Sequence, residues 1–280
     1  MEQDYLDYYG IPGEFSFRAG EFNAGPYRIW SWSLEPESWT ATVIVLHGFL
    51  DHSLTNRFVI LELLRKGYRV IAGDMPGHGR SGGVRGGIAG FEEYDLYFEN
   101  LLTHWEVDPA GSFALGHSTG SAILINYCRQ GKTPFRGMVF AAPLVKMNSH
   151  SMLDRGIDLA HDWMKMLPAG KNKTCKNKSF LKFRWSDPLG VKRFSLDWIK
   201  SMVNWNREWV DFKSDQKVLV LQGKKDNVVE WKTNIPILEN CLTNGEIHYY
   251  KKGRHHILNE GDRLRHEVFK ELFRYLEENS

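Results

Sequence analysis

The sequence predicts an α/β fold: a mostly parallel central sheet flanked by helices, with one inserted helical cap. Three observations carry the prediction. Short, continuous apolar runs recur along the chain, amphipathic helical patterns lie between them, and one connection is far longer than a crossover needs. In chain order, the aromatic-rich stretch before Thr42, including Tyr27–Leu34, suits extra antiparallel strands at a sheet edge. Thr42–Leu46 (TVIVL) and Tyr68–Ala72 (YRVIA) read as strands, with a helix over Phe58–Lys66 between them. Phe91–Trp105 is the next helical pattern, followed by the strand Ser112–Leu115, a helix over Ser118–Cys128 and the strand Gly137–Ala141. Val218–Gln222 and Glu246–Tyr250 complete the strands. The last helix, Asp262–Glu278, carries Leu264, Val268, Leu272 and Leu276 on one stripe.

The stretch from Pro143 to Gln216 breaks this alternation. It holds a helical pattern over Met152–Leu167, the polar run Lys171–Lys178 and the tryptophan-rich Trp198–Trp209. Residues 143–212 are therefore expected to form a cap inserted into a core made of 1–142 and 213–280.

Composition narrows the function classes. Hydrophobic residues make up 42% of the 280 and charged residues 25%, as in ordinary globular proteins rather than disordered ones. The net charge is +2, yet Lys165–Lys200 holds ten Lys or Arg against two Asp. That is a local basic patch on an acidic body, not the basic face of a nucleic-acid module, and no such module's motif is present. The three cysteines, Cys128, Cys175 and Cys241, match neither a zinc pattern nor a disulfide framework. The first ten residues, MEQDYLDYYG, lack a signal-peptide pattern, and no stretch approaches a membrane span. A cytoplasmic location is expected, with peripheral membrane contact through the basic cap left open.

The chemistry centres on Gly116-His117-Ser118-Thr119-Gly120, between a strand and a helix. A nucleophilic serine must stand on a sharp strand-to-helix turn, and flanking glycines remove side chains that would clash there. Its hydroxyl needs a base, itself oriented by a carboxylate. Asp226 follows the strand Val218–Gln222, and His255 and His256 follow Glu246–Tyr250, the carboxyl edge where such sheets gather active groups. Spacing leaves the choice between the two histidines open. The oxyanion donors are expected from the N–H groups of Thr119 and of Phe49 in His47-Gly48-Phe49-Leu50, with Gly48 permitting close approach. Neither a cofactor nor a metal is called for: His47 and His52 lack a third ligand at suitable spacing.

These segments resemble the monoacylglycerol lipase and lysophospholipase family of α/β-hydrolases. The likeness lies in His47–Ser53 with Arg57-Phe58, in Asp74–Ser81 (DMPGHGRS), in Gly116–Gly120, in His255–Glu260 (HHILNE) and in Asp187-Pro188-Leu189. Met75-Pro76 departs from the family, which commonly has a basic or aromatic residue before the glycine. The resemblance implies the α/β-hydrolase fold, a small lipid ester as substrate and the first histidine, His255, as base. Trp163, Trp185 and Met152 are candidates for lining an acyl pocket, against the alternative that the cap's tryptophans form its own core. A short-chain esterase, an aminopeptidase or a non-catalytic binding module on the same scaffold are the competing readings.

Overall fold

The computed structural model describes the backbone of residues 2–147, 150–163 and 165–280, and their side chains except those of 2, 3, 150, 153 and 159–163. A short helix, α1 (Glu2–Tyr9), precedes a hairpin of β1 (Ser16–Ala24) and β2 (Tyr27–Glu35). Then follow β3 (Ala41–Leu46), α2 (Arg57–Arg65), β4 (Tyr68–Gly73), α3 (Glu92–His104), β5 (Ser112–His117), α4 (Thr119–Arg129) and β6 (Gly137–Ala141). After α5 (His150–Trp163), β7 (Met166–Pro168), α6 (Lys178–Ser186), β8 (Arg193–Ser195) and α7 (Leu196–Arg207), the chain returns through β9 (Val218–Gly223), α8 (Trp231–Cys241), β10 (Gly245–Tyr250) and α9 (Asp262–Glu278).

The main sheet has eight strands in the order β1-β2-β4-β3-β5-β6-β9-β10. β1 and β2 pair antiparallel, β2 runs antiparallel to β4, and the remaining pairs are parallel. This is the expected mostly parallel sheet with an antiparallel edge. β3, β5, β6 and β9 are buried almost throughout and mostly apolar because helices cover both faces. One core lies under α3, α4 and α7, the other under α1, α2 and α9.

Among the described residues, the segment between β6 and β9 adds no strand to the main sheet. It is less uniformly helical than its periodicity suggested. α5 ends at Trp163, and Met166–Pro168 instead pairs antiparallel with Arg193–Ser195. Leu167, expected at the end of a helix over Met152–Leu167, is thus a strand residue, while the side chains of Leu153, Ala160 and Met164 within that stretch lie outside the described residues. Among the described residues no helix is long and apolar enough to cross a membrane, and Cys128, Cys175 and Cys241 are buried and unpaired.

Candidate active site

β5 leads directly into α4 through Ser118, whose backbone sits at φ 52°, ψ −109°. A left-handed φ is strained for any residue but glycine and persists only when its surroundings hold it. Here they do. The Ser118 N–H donates to the Ala141 carbonyl at 2.9 Å, and the Ser118 carbonyl accepts from the Ala122 and Leu144 N–H groups. The flanking glycines are needed for contact: a Cβ on Gly116 would lie 2.4 Å from the Gly120 backbone, and one on Gly120 would lie 2.5 Å from the Leu46 carbonyl oxygen.

The two histidines have different partners. His255 Nδ1 is 2.9 Å from Asp226 Oδ2, a buried pair, whereas His256 Nε2 is 3.0 Å from Asp51 Oδ2. Asp226 also accepts from the N–H of Val228 at 2.8 Å and of Val229 at 3.3 Å. Burial opposes its ionisation, but the imidazole of His255 and these two donors outweigh it and hold the carboxyl below its ordinary range. An ionised Asp226 fixes the proton of His255 on Nδ1 and leaves Nε2 as a proton acceptor.

Ser118, Thr119, Phe49 and His255 all line one cavity of about 400 Å³. Among the described residues, no protein group accepts the backbone N–H of Phe49 or of Thr119. The Phe49 loop is braced from below. The Leu50 N–H donates to His78 Nε2 at 3.3 Å, and the Met75 N–H to His47 Nε2 at 2.9 Å. Burial pushes the His78 imidazole down to about 3 and lowers that of His47, so both stay neutral and able to accept. That gives the Asp74–Ser81 motif a physical use: it supports the loop carrying Phe49. Gly48 lies against the elbow, where a Cβ would meet His117 Nδ1 at 2.8 Å and Ser118 Cβ at 3.3 Å.

The apolar wall is formed by Leu144, Met147, Phe194, Trp198, Ile199 and Val228, with the Phe49 ring stacked on Trp198 at 3.6 Å between centroids. The residues expected to line an acyl pocket fare differently. Met152 is 64% exposed and does not line the cavity, because it points off the solvent side of α5. Trp185 packs against Phe180, Leu181 and Cys175 and faces a separate, smaller recess. The side chain of Trp163 lies outside the described residues. Trp198 is the cap tryptophan that lines the cavity: α7 packs Leu196, Ile199, Met202 and Val203 inward, and that stripe carries Trp198 with it. Met147 and Phe194 carried no periodic signal in the sequence.

A second buried network sits behind the site. Arg184 donates to Asp51 at 2.6 Å, and His52 Nε2 and the Tyr9 hydroxyl bond the two oxygens of Asp187 at 2.8 and 2.9 Å. Asp51, His117 and His256 each bring a ligand atom within 4.8 Å of the others. The guanidinium of Arg184 already stands as the cation there. It and His256 overcome burial and hold the Asp51 carboxyl well below its ordinary range.

Residues 37–262 match the family model described as Hydrolase_4, serine aminopeptidase S33. The chain belongs to that family. Among relatives of this Hydrolase_4 chain, phospholipase YtpA of Bacillus subtilis is 24% identical over 86% of this chain and 96% of its own length. The monoglyceride lipase of Saccharomyces cerevisiae is 24% identical, covering 85% of each, and the human monoglyceride lipase is 26% identical over 83% of this chain and 80% of its own. A solved soluble variant of the Saccharomyces enzyme, in complex with a substrate analog, superposes with a TM-score of 0.78 at 20% identity, covering 94% of this chain and 96% of that one. A monoacylglycerol lipase from Paleococcus ferrophilus gives 0.75 at 21%, covering 90% and 99%. The α/β-hydrolase fold is common to all three.

Proposed function

We propose that this chain hydrolyses carboxylic esters of lipids, a monoacylglycerol or a lysophospholipid, through an acyl-enzyme on Ser118. The observation that carries the reading is that His255, paired with the buried Asp226, lines the same cavity as a serine on a strained elbow. Ser118 Oγ attacks the ester carbonyl as His255 Nε2 takes its proton, and Asp226 stabilises the imidazolium. The N–H groups of Phe49 and Thr119 receive the developing oxyanion. Collapse expels the alcohol, which leaves with the proton from His255. Water, deprotonated by the same imidazole, then releases the fatty acid and restores the serine. Residues 143–212 serve as the cap: Pro168, Phe194, Trp198 and Ile199 supply wall that the core strands do not.

The aminopeptidase named in the family description is the second reading. A peptidase of that kind needs a carboxylate for the substrate's amine. The carboxylate lining this cavity, Asp51, is already bound by Arg184 and His256. The relatives' names, phospholipase and monoglyceride lipase, support the ester reading. A series of acyl chains of increasing length on glycerol, glycerophosphocholine and simple alcohols, run beside aminoacyl anilides, tests it. Ester turnover rising with chain length is expected; turnover of the anilides alone would overturn the proposal.

A further inference from the structure

Beside the main cavity lies a smaller recess of about 200 Å³, walled in part by Leu50, Gly170, Lys171, Arg184, Trp185 and Lys192. Leu50, Gly170 and Arg184 line both spaces, so the recess adjoins the proposed site of chemistry. Three cations line it and, among the described residues, no carboxylate does. Of the three, Arg184 is paired with Asp51, and the nearby Asp187 is bound by His52 and Tyr9, which leaves Lys171 and Lys192 without a carboxylate at ion-pair distance among the described residues. Lys192 is held in place, its ammonium donating to the Trp185 carbonyl at 2.9 Å. Partial burial lowers its pKa, and Arg184 and Lys171 push the same way against the pull of Asp187. Trp185 adds an indole Nε1–H that is buried with no hydrogen-bond partner. Buried donors in folded proteins are nearly always paired, so an orphan beside two lysines without a carboxylate partner points to an anionic acceptor.

We propose that this recess receives the phosphodiester of a lysophospholipid headgroup while the acyl chain lies against the apolar wall around Trp198. The proposal rests on the ester-hydrolase reading and names its preferred substrate. The acyl ester is the bond that breaks: water adds across it, giving a fatty acid and an intact glycerophosphodiester, whose phosphate stays ionised throughout.

The test compares kcat/KM for a lysophosphatidylglycerol and a 1-monoacylglycerol of the same short chain, each below its micelle concentration. In the double variant Lys171→Gln, Lys192→Gln, the phosphodiester substrate should lose about tenfold or more, with the neutral ester changed by less than about twofold. Lys171→Arg, Lys192→Arg should keep the preference. Equal losses on both substrates, or none on either, would overturn the proposal. If the wild type cleaves neither substrate, the hydrolase reading falls separately. Calorimetry then still decides on the recess: lysophosphatidylglycerol should bind Ser118→Ala and lose that binding when the two glutamines are added. Binding of inorganic phosphate at the lysines, with no preference between the two lipids, would assign the recess to free phosphate and overturn the headgroup.

Discussion

Replacing Gly48 by alanine tests the oxyanion loop without touching any group proposed to react. The added methyl would lie 2.8 Å from His117 Nδ1 and 3.3 Å from Ser118 Cβ, where ordinary contact begins at 3.4 Å. The larger deficit is therefore about 0.6 Å, set by the side chain closest to the new methyl. The His117 ring cannot swing away freely, since its Nε2 lies 3.1 Å from the His255 carbonyl and its ring contacts those of both His255 and His256. The loop must retreat instead, taking the Phe49 N–H with it. Productive geometry tolerates about 0.5 Å, and loss of one oxyanion donor typically costs 10²–10³ in kcat. Gly48→Ala should lower kcat on a p-nitrophenyl ester by about a hundredfold, with KM little changed. Overpacking should also cost about 1–3 kcal/mol in urea unfolding. A folded variant with wild-type kcat would refute the placement of Phe49.

Three further outcomes follow from the same structure. Asp226→Asn can still accept the Val228 N–H, but an amide nitrogen facing His255 forces the wrong tautomer, and kcat should fall on the order of 10³–10⁴-fold while the fold survives. His256, which burial holds at about 4, is neutral in the native state, so between that value and 6.5 the unfolded chain binds a proton the native one does not. Its contribution, about 3 kcal/mol, is full above pH 6.5 and lost as pH falls towards 4; urea unfolding at pH 7 and 4.5 should show a shallower acid dependence in His256→Gln, and equal slopes would contradict this. Met152→Ala should change stability by no more than about 0.5 kcal/mol and leave ester turnover intact, since that side chain faces solvent; a large rise in KM would return it to the pocket.

The core was legible where burial on both faces imposes an unbroken apolar run. β6 spans the residues its pattern indicated, and β3, β5, β9 and β10 differ by one or two at an end. α1 and α8 carried weaker signals. α8 contains Pro236, which argues against a helix interior, and α1 is a short polar and aromatic run that tertiary packing of Leu6 and Tyr9 stabilises. The elbow, Asp226 and the paired histidines could be located because chemistry restricts them to loops at one sheet edge. Spacing alone did not separate His255 from His256 and only the resemblance pointed to His255; that the two rings have different carboxylate partners shows only in three dimensions, since Asp51 lies more than two hundred positions from His256. The pocket wall was the least legible part. It is assembled from residues such as Leu144 and Met147 in the segment after β6 and Phe194 in a short ribbon, and no period in the chain links them.

Reaction with a fluorophosphonate probe, followed by intact mass and peptide mapping, reads the reactive hydroxyl directly. One adduct per chain should form and map to Ser118, with none on Ser118→Ala and slowed formation on Asp226→Asn. An adduct on another residue, or equal modification of Ser118→Ala, would mean that the pair of His255 and Asp226 serves some other end.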